Sequence, residues 1–333
     1  MEQNTEKEYK YKVCTRCMTY NHAPYIVDTM NGFTMQKTTF PVITLIIDDA
    51  STDGEPEVIR QYLSEKFQEP YRTEETDDYS LICANHKTNE NCIFVVFLLK
   101  YNHYSIKKPK MLYLSEWLDN SKYHALCEGD DYWTHPKKLL MQADYLEKHA
   151  DCGLVYAKAK VYNEKEKTFK GICGEDYVSN DEMLIHNPVV TLTTCYRTDL
   201  WLNYNEEKKD WPTMNWKMGD YPMWIWLAHH ASVCFLDEDV AVYREVQGSM
   251  THKTLEDRLA FIHNTAAIQF FFADYFKKTK KMKKEIEYNE QRSSALACIK
   301  YNDYKQSLKY LIKLGFKDQL FCLKHVIQKR IGE

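Results

Sequence analysis

The stretch Cys127-Glu128-Gly129-Asp130-Asp131-Tyr132-Trp133 sets three carboxylates around one glycine. It follows Tyr123-His124-Ala125-Leu126, which reads as a short buried strand, with Gly129 letting the backbone turn tightly. Three acids at a strand mouth are costly to bury and repel one another. A divalent cation between them and a phosphorylated ligand turns that repulsion into attraction. The competing reading is a solvated acidic turn. Two further carboxylate-bearing stretches stand out: Asp48-Asp49-Ala50-Ser51-Thr52-Asp53-Gly54, and Asp220 after Gly219, where capping a helix is the competing reading.

Such groups need elements to hold them. Tyr11 to Thr19 reads as a strand ending at Tyr20-Asn21-His22-Ala23-Pro24, and Pro24 starts a helix through about Gln36. Val42 to Ile47 is apolar and rich in β-branched residues, as expected of a strand buried on both faces of a parallel sheet. A helix from Pro56 to about Lys66 follows the Asp48-Asp49 turn. Strand, helix, strand, helix is the βαβ pattern, whose ligands bind beyond the carboxyl ends of the strands. Tyr20-Asn21 and Asp48-Asp49 both sit at such ends.

Between Glu69 and Lys110, Ser80 to Ala84 reads as a strand, and Cys92 to Leu99 as either a strand or the start of a buried helix. A helix is expected over Met111 to Asp119, another after His135-Pro136 through about His149, and a strand over Gly153 to Tyr162. Tyr221 to His229 reads as an aromatic-rich helix; Val233 to Leu236 and Val240 to Arg244 read as strands. From Leu255 onward the pattern is helical. Phe261 to Phe276 carries an aromatic stripe, and Lys277 to Lys284 holds six lysines. That pair could rest on an anionic membrane surface, or be core packing beside a solvated face.

Thr19-Tyr20-Asn21, Ile47 through Gly54 and Glu128 through Trp133, in this order, resemble the family 2 glycosyltransferases of the GT-A fold. The resemblance covers roughly residues 11–250. Met18 stands where that family usually carries proline, and its Asn-Leu-Gly segment is lacking. The resemblance implies an α/β fold with a Rossmann-like, mostly parallel central sheet flanked by helices. It divides the chain into a catalytic domain over 1–253, with a nucleotide-binding half near 11–133 and an acceptor half near 134–253, and a helical extension over 254–333. It implies an inverting hexosyltransferase taking a UDP-sugar to a saccharide or lipid-linked saccharide, in cell-envelope polysaccharide synthesis. Thr19, Tyr20, Asn21, Asp49, Ser51 and Asp130 would bind the donor nucleotide, with Tyr20 against the base and Asp49 accepting from a uracil N–H. Asp131 would hold Mg²⁺ or Mn²⁺, assisted by Asp130 or Glu128, with His252 as a further ligand. Asp220 would be the base, and Arg197 and Trp224 would lie on the acceptor side. Lys107, Lys108 and Lys110 are candidates for the diphosphate; a solvated basic loop is the alternative. Other readings are a nucleotidyltransferase-like enzyme, argued against by the lack of a Gly-rich loop after the first strand, and a non-catalytic nucleotide- or glycan-binding protein.

The 333 residues suffice for one large domain or two modest ones, and 44% hydrophobic content with spread charge describes a globular chain. A net charge of -4 gives no general attraction to nucleic acid. Eleven cysteines without a framework, and a polar start from Met1 to Lys12, fit reduced thiols in a cytoplasm. Contact with the inner face of the membrane through the C-terminal helices is compatible with this. The Cys14-x-x-Cys17 pair falls on a strand, where residues three apart face opposite sides, so it is read as packing.

Overall fold

The computed structural model describes residues 8–176, 179–212, 214–246, 254–317 and 319–321. Of these, residues up to 176, 188–210 and 227–246 form one compact unit; 179–187, 211–226 and 254 onward form a second.

The first unit is built on a mixed sheet of 11 strands among the described residues. Its centre consists of β5 (Cys92–Leu99), β2 (Val42–Asp48), β1 (Tyr11–Thr19) and β6 (Ser121–Leu126), all parallel. β2 is buried along its whole length, as its run of β-branched residues requires. β5 resolves the ambiguity at Cys92 to Leu99: it is a strand, nearly all of it buried. On one flank lie the antiparallel strands β4 (Tyr79–Asn85) and β3 (Arg72–Glu75). β3 has no apolar alternation to betray it, since it is a polar edge strand.

On the other flank, β10 (Cys195–Arg197) pairs antiparallel with both β6 and β8 (Cys152–Asn163). β8 pairs parallel with β11 (Ser232–Glu245), and β9 (Thr168–Cys173) adds antiparallel to β8. The two strands expected around Val233 and Val240 are thus one, with register shifts near Asp239 and at Ser232/Val233. β7 (Tyr132–Trp133) closes on β11. Helices α1 (Ile26–Thr34), α2 (Glu55–Lys66) and α4 (Lys138–Lys148) cover one face, and α3 (Ser115–Leu118) the other. α6 (Thr198–Lys208) follows β10.

The single helix expected over Met111 to Asp119 is instead a 3₁₀ turn, Lys110–Tyr113, followed by the four-residue α3. Lys110 and Tyr113 bond to Asp49 and Asp78 on neighbouring segments, which ties down the first turn. Cys14 and Cys17 pack on opposite faces of β1, as the strand period demands. The expectation of free thiols fails at one pair, because Cys152 and Cys234 are joined by a disulfide with their Cα atoms 6.4 Å apart.

The second unit holds α5 (Asn180–Ile185), the start of α7 (Tyr221–His230), α8 (Leu255–Tyr275), α9 (Lys280–Lys300) and α10 (Tyr304–Leu311). Thr254 and Thr279 cap α8 and α9 by accepting from Asp257 N and Met282 N. Within the aromatic stripe of α8, Phe272 is core: it is fully buried and packs with Trp211 and Trp216. Phe261, Phe270, Phe271 and Phe276 are half-buried, and Tyr275 is 42% exposed. No helix among the described residues is long and apolar enough to cross a membrane.

Candidate functional site

Because β1, β2, β6 and β11 run in one direction, their carboxyl ends share one edge of the sheet. The acidic turn prolongs the β1–β6 pairing: Cys127 N donates to Arg16 O at 3.2 Å, and Gly129 N to Met18 O at 3.2 Å. Gly129 is needed for a reason other than a tight turn. A Cβ there would stand 2.0 Å from Thr19 Oγ1 and 2.6 Å from Thr19 Cβ, so only glycine lets the two strand ends close up. From α1, the Thr29 hydroxyl reaches Gly129 O at 3.0 Å and Asp131 O at 2.6 Å.

Asp131 is 5% exposed, and its Oδ1 accepts from the Arg244 backbone N–H at 2.7 Å. Burial, then the neighbouring charges of Asp130 and Glu128, drive its pKa well above the usual carboxylate range. The Arg244 side chain, itself 6% exposed, knits the turn from β11. It donates to Asp130 O at 2.8 Å and Asp28 Oδ2 at 2.7 Å, and lies 3.5 Å from Glu164. Its guanidinium sits between the rings of Tyr25 (4.9 Å) and Tyr132 (4.8 Å).

Glu55, at the start of α2 and fully buried, ties the first two strand ends together. It accepts from the Thr19 hydroxyl, from His22 N at 2.8 Å and from the Ser51 hydroxyl at 2.9 Å. Thr19 and Ser51 therefore brace the loops with their hydroxyls. Asn21 (φ 57°) and Ala50 (φ 60°) are both left-handed, and Asn21 Oδ1 accepts from Thr52 N at 2.8 Å. Tyr20 is 44% exposed beside them, free to offer its ring. His22 Nε2 lies 3.8 Å from Asp130 Oδ2, linking the first loop to the acidic turn.

Asp48 Oδ2 accepts from Ser51 N at 3.1 Å, while its Oδ1 is buried with no hydrogen-bond partner among the described residues. Burial raises its pKa to about 6. Asp49, expected to read a base, is 3% exposed and already accepts from His103 N (2.8 Å), Tyr104 N (3.1 Å) and Lys110 Nζ (2.6 Å). Its carboxylate is first an anchor for the loop after β5. Lys108 is held by Asp78 and Tyr101 at 2.7 Å each; Lys107 is exposed.

Arg197 and Trp224, expected on the acceptor side, are engaged within the fold. Arg197 pairs with Tyr123, well short of the carboxyl end of β6. Its guanidinium donates to Leu146 O, His149 O and Cys152 O, capping the end of α4. Trp224 is completely buried and offers no surface to a ligand. Asp220 stands at the head of α7, its Oδ1 accepting from Tyr221 N at 2.8 Å. It belongs to the second unit. His252 lies outside the described residues.

Sequence reasoning passed over Glu55, His22 and Arg244. Glu55 falls just ahead of the helix expected from Pro56, and Arg244 at the end of an expected strand; neither spacing reveals its partners.

Among the described residues, no three histidine, cysteine or acidic side chains could enclose a metal ion by themselves. The turn does fit a cation whose other ligands come from a substrate. Asp131 is a buried carboxylate whose pKa is raised by burial and by the nearby Asp130 and Glu128, and the donor set is all oxygen, which suits Mg²⁺ or Mn²⁺.

No family model matches this chain. The chain is 27% identical over 247 residues, 73% of its length, to the uncharacterised protein Rv1520 of Mycobacterium tuberculosis and to Mb1547 of Mycobacterium bovis. It spans 62% of the length of these relatives. Among solved structures, it resembles the mannosyltransferase PcManGT from Pyrobaculum calidifontis in complex with GDP-Man and Mn²⁺ (TM-score 0.54, 13% identity, 92% of this chain and 75% of that one). S. aureus TarS 1-349 is also similar (TM-score 0.51, 14% identity, 95% and 80%). The chain thus has the α/β fold of these proteins, a mixed sheet with parallel strands flanked by helices.

Proposed function

We propose that this chain is a metal-dependent, inverting glycosyltransferase of the family 2 type, moving a sugar from a UDP-sugar to a saccharide or lipid-linked saccharide of the cell envelope. The observation that carries this is the convergence, on one sheet edge, of Thr19-Tyr20-Asn21, the Asp48–Glu55 turn and the buried Asp131. Ligands of open α/β sheets bind at such an edge. The likeness in fold to a mannosyltransferase solved with a nucleotide sugar and Mn²⁺ points the same way.

In this reading Tyr20 flanks the base, and Asp49 fixes the loop that closes over it. Asp131 would hold Mg²⁺ or Mn²⁺ with Asp130 or Glu128, and the cation would neutralise the departing diphosphate. The acceptor hydroxyl attacks the anomeric carbon as Asp220 takes its proton. A C–O bond forms there, the bond to the β-phosphate oxygen breaks, and its electron pair leaves with UDP. Attack from the side opposite the leaving group inverts the centre.

Titration calorimetry tests the donor. UDP should bind at least about tenfold tighter with Mn²⁺ than without, and Asp131→Ala should abolish that gain. GDP is the competing donor, given the GDP-Man complex of PcManGT. Equal binding of UDP, GDP and ADP would remove the uridine assignment, and a Mn²⁺ effect surviving in Asp131→Ala would remove the metal site.

For location, the favoured reading is the cytoplasm, at the inner face of the membrane. The surface that best supports contact is the segment from α10 on. There Leu308, Ile312 and Phe316 are 59%, 75% and 74% exposed, interleaved with Lys309, Lys313 and Lys317. The chain should sediment with vesicles containing phosphatidylglycerol and stay in solution with pure phosphatidylcholine; failure to bind either discards the contact.

A further inference from the structure

The second unit contains a cavity of about 260 Å³ that the donor chemistry leaves unused. It opens between the end of α5, the residues leading into α7, and the facing sides of α8 and α9. Met218 and Tyr221 line it, and these flank Asp220 in the chain. At this volume it lies below the roughly 300–1,000 Å³ of sites for drug-sized ligands, which suits a single sugar ring.

Its charges are uneven. Glu290 lies in the wall but is held by His263, with Nδ1 and Oε1 2.6 Å apart. Arg258, also in the wall, rests over the Phe261 ring at 5.7 Å, and its guanidinium has no hydrogen bond or ion pair among the described residues. A partly buried arginine with all its donors open, in a concave wall, is a preformed fork for a carboxylate or phosphate. The remaining lining mixes apolar and hydrogen-bonding surface. Phe261 gives a ring face, and Asn289 supplies amide groups. Gln269 Nε2 donates to Tyr221 Oη at 3.0 Å, and that hydroxyl in turn donates to Met183 O, which fixes the Tyr221 ring at the cavity wall.

We infer that this cavity receives a sugar ring of the acceptor and that Arg258 grips an anionic substituent on it, a carboxylate or a phosphate. Naming the occupant as acceptor rests on the role proposed above for Asp220. The binding chemistry itself rests only on the wall.

The test is calorimetry on the full chain, without metal and with UDP in excess, using glucuronate, glucose 6-phosphate, glucose and inorganic phosphate. At least one of the two charged sugars should bind about tenfold or more tighter than both glucose and inorganic phosphate. A lead for glucuronate marks a carboxylate, and a lead for glucose 6-phosphate a phosphate ester. Arg258→Gln should erase the lead, while Arg258→Lys, which keeps the charge, should retain part of it. Glucose binding as tightly as the charged sugars, inorganic phosphate matching the sugar phosphate, or a lead that survives Arg258→Gln would each overturn the assignment. UDP titrated alone should have the same affinity in wild type and Arg258→Gln, so failure of the donor reading shows there and nowhere else. Asp220→Asn should keep the preference for the charged sugar, which separates the cavity from the base.

Discussion

Replacing Asp220 by Asn should lower the rate of sugar transfer by about 10²- to 10⁴-fold while leaving UDP affinity within about twofold. The substitution is nearly isosteric, and asparagine caps a helix start about as well as aspartate, so α7 should keep its first turn. Its Oδ1 can still accept from Tyr221 N, the bond that Asp220 makes at 2.8 Å. What disappears is the ability to take a proton from the attacking hydroxyl, worth roughly 3–5 kcal/mol of the barrier. Single-turnover release of UDP from a UDP-sugar, followed with a competent acceptor, reads the effect directly. Turnover within about tenfold of wild type would mean that another group is the base.

Arg244→Ala should be the most damaging single change to the donor side, lowering stability by about 3 kcal/mol. The side chain is 6% exposed, donates to Asp130 O and Asp28 and lies 3.5 Å from Glu164, between two tyrosine rings. Removing it leaves Asp131 buried beside Asp130 with one positive charge fewer, and opens a gap between Tyr25 and Tyr132. The value is set at the lower end of the range for broken buried pairs because the Asp28 side chain is 53% exposed and can be rehydrated. The backbone N–H of residue 244 still reaches Asp131, so the turn should loosen rather than unfold. Urea denaturation gives the stability, and calorimetry should show a weaker Mn²⁺-dependent gain in UDP binding. If stability changes by less than about 1 kcal/mol and the UDP gain is intact, Arg244 does not organise the turn.

Both changes show how differently the two sides of the problem are written in the chain. Asp220, Asp131, Asp49 and Tyr20 are visible as residue types at strand ends and at a helix start. Arg244 is not, because nothing within ten residues of it in sequence announces the acidic turn more than a hundred positions away. Glu55 is a similar case. Its neighbours suggest a solvated helix start, and only the approach of β1 to β2 turns it into the buried acceptor for Thr19, His22 and Ser51. Arg197 and Trp224 depart from expectation in the opposite sense. Their types suit an acceptor surface, but the β6–β10 register carries Arg197 toward the end of α4, and Trp224 is wholly buried.

By itself the sequence determined the local elements and their chemistry. The β-branched run of β2, the glycine between acids and the ordered succession of strand-end motifs follow from period, propensity and residue type, all short-range properties. Only the tertiary structure decided which acids are free and which are already bound. It also decided that Gly129 is demanded by the approach of Thr19, that Phe272 of α8 is core, and that Arg258 stands open in a cavity. These outcomes depend on strand register and on contacts between distant segments. A side chain's partner is set by where the chain returns, and no spacing along it carries that information.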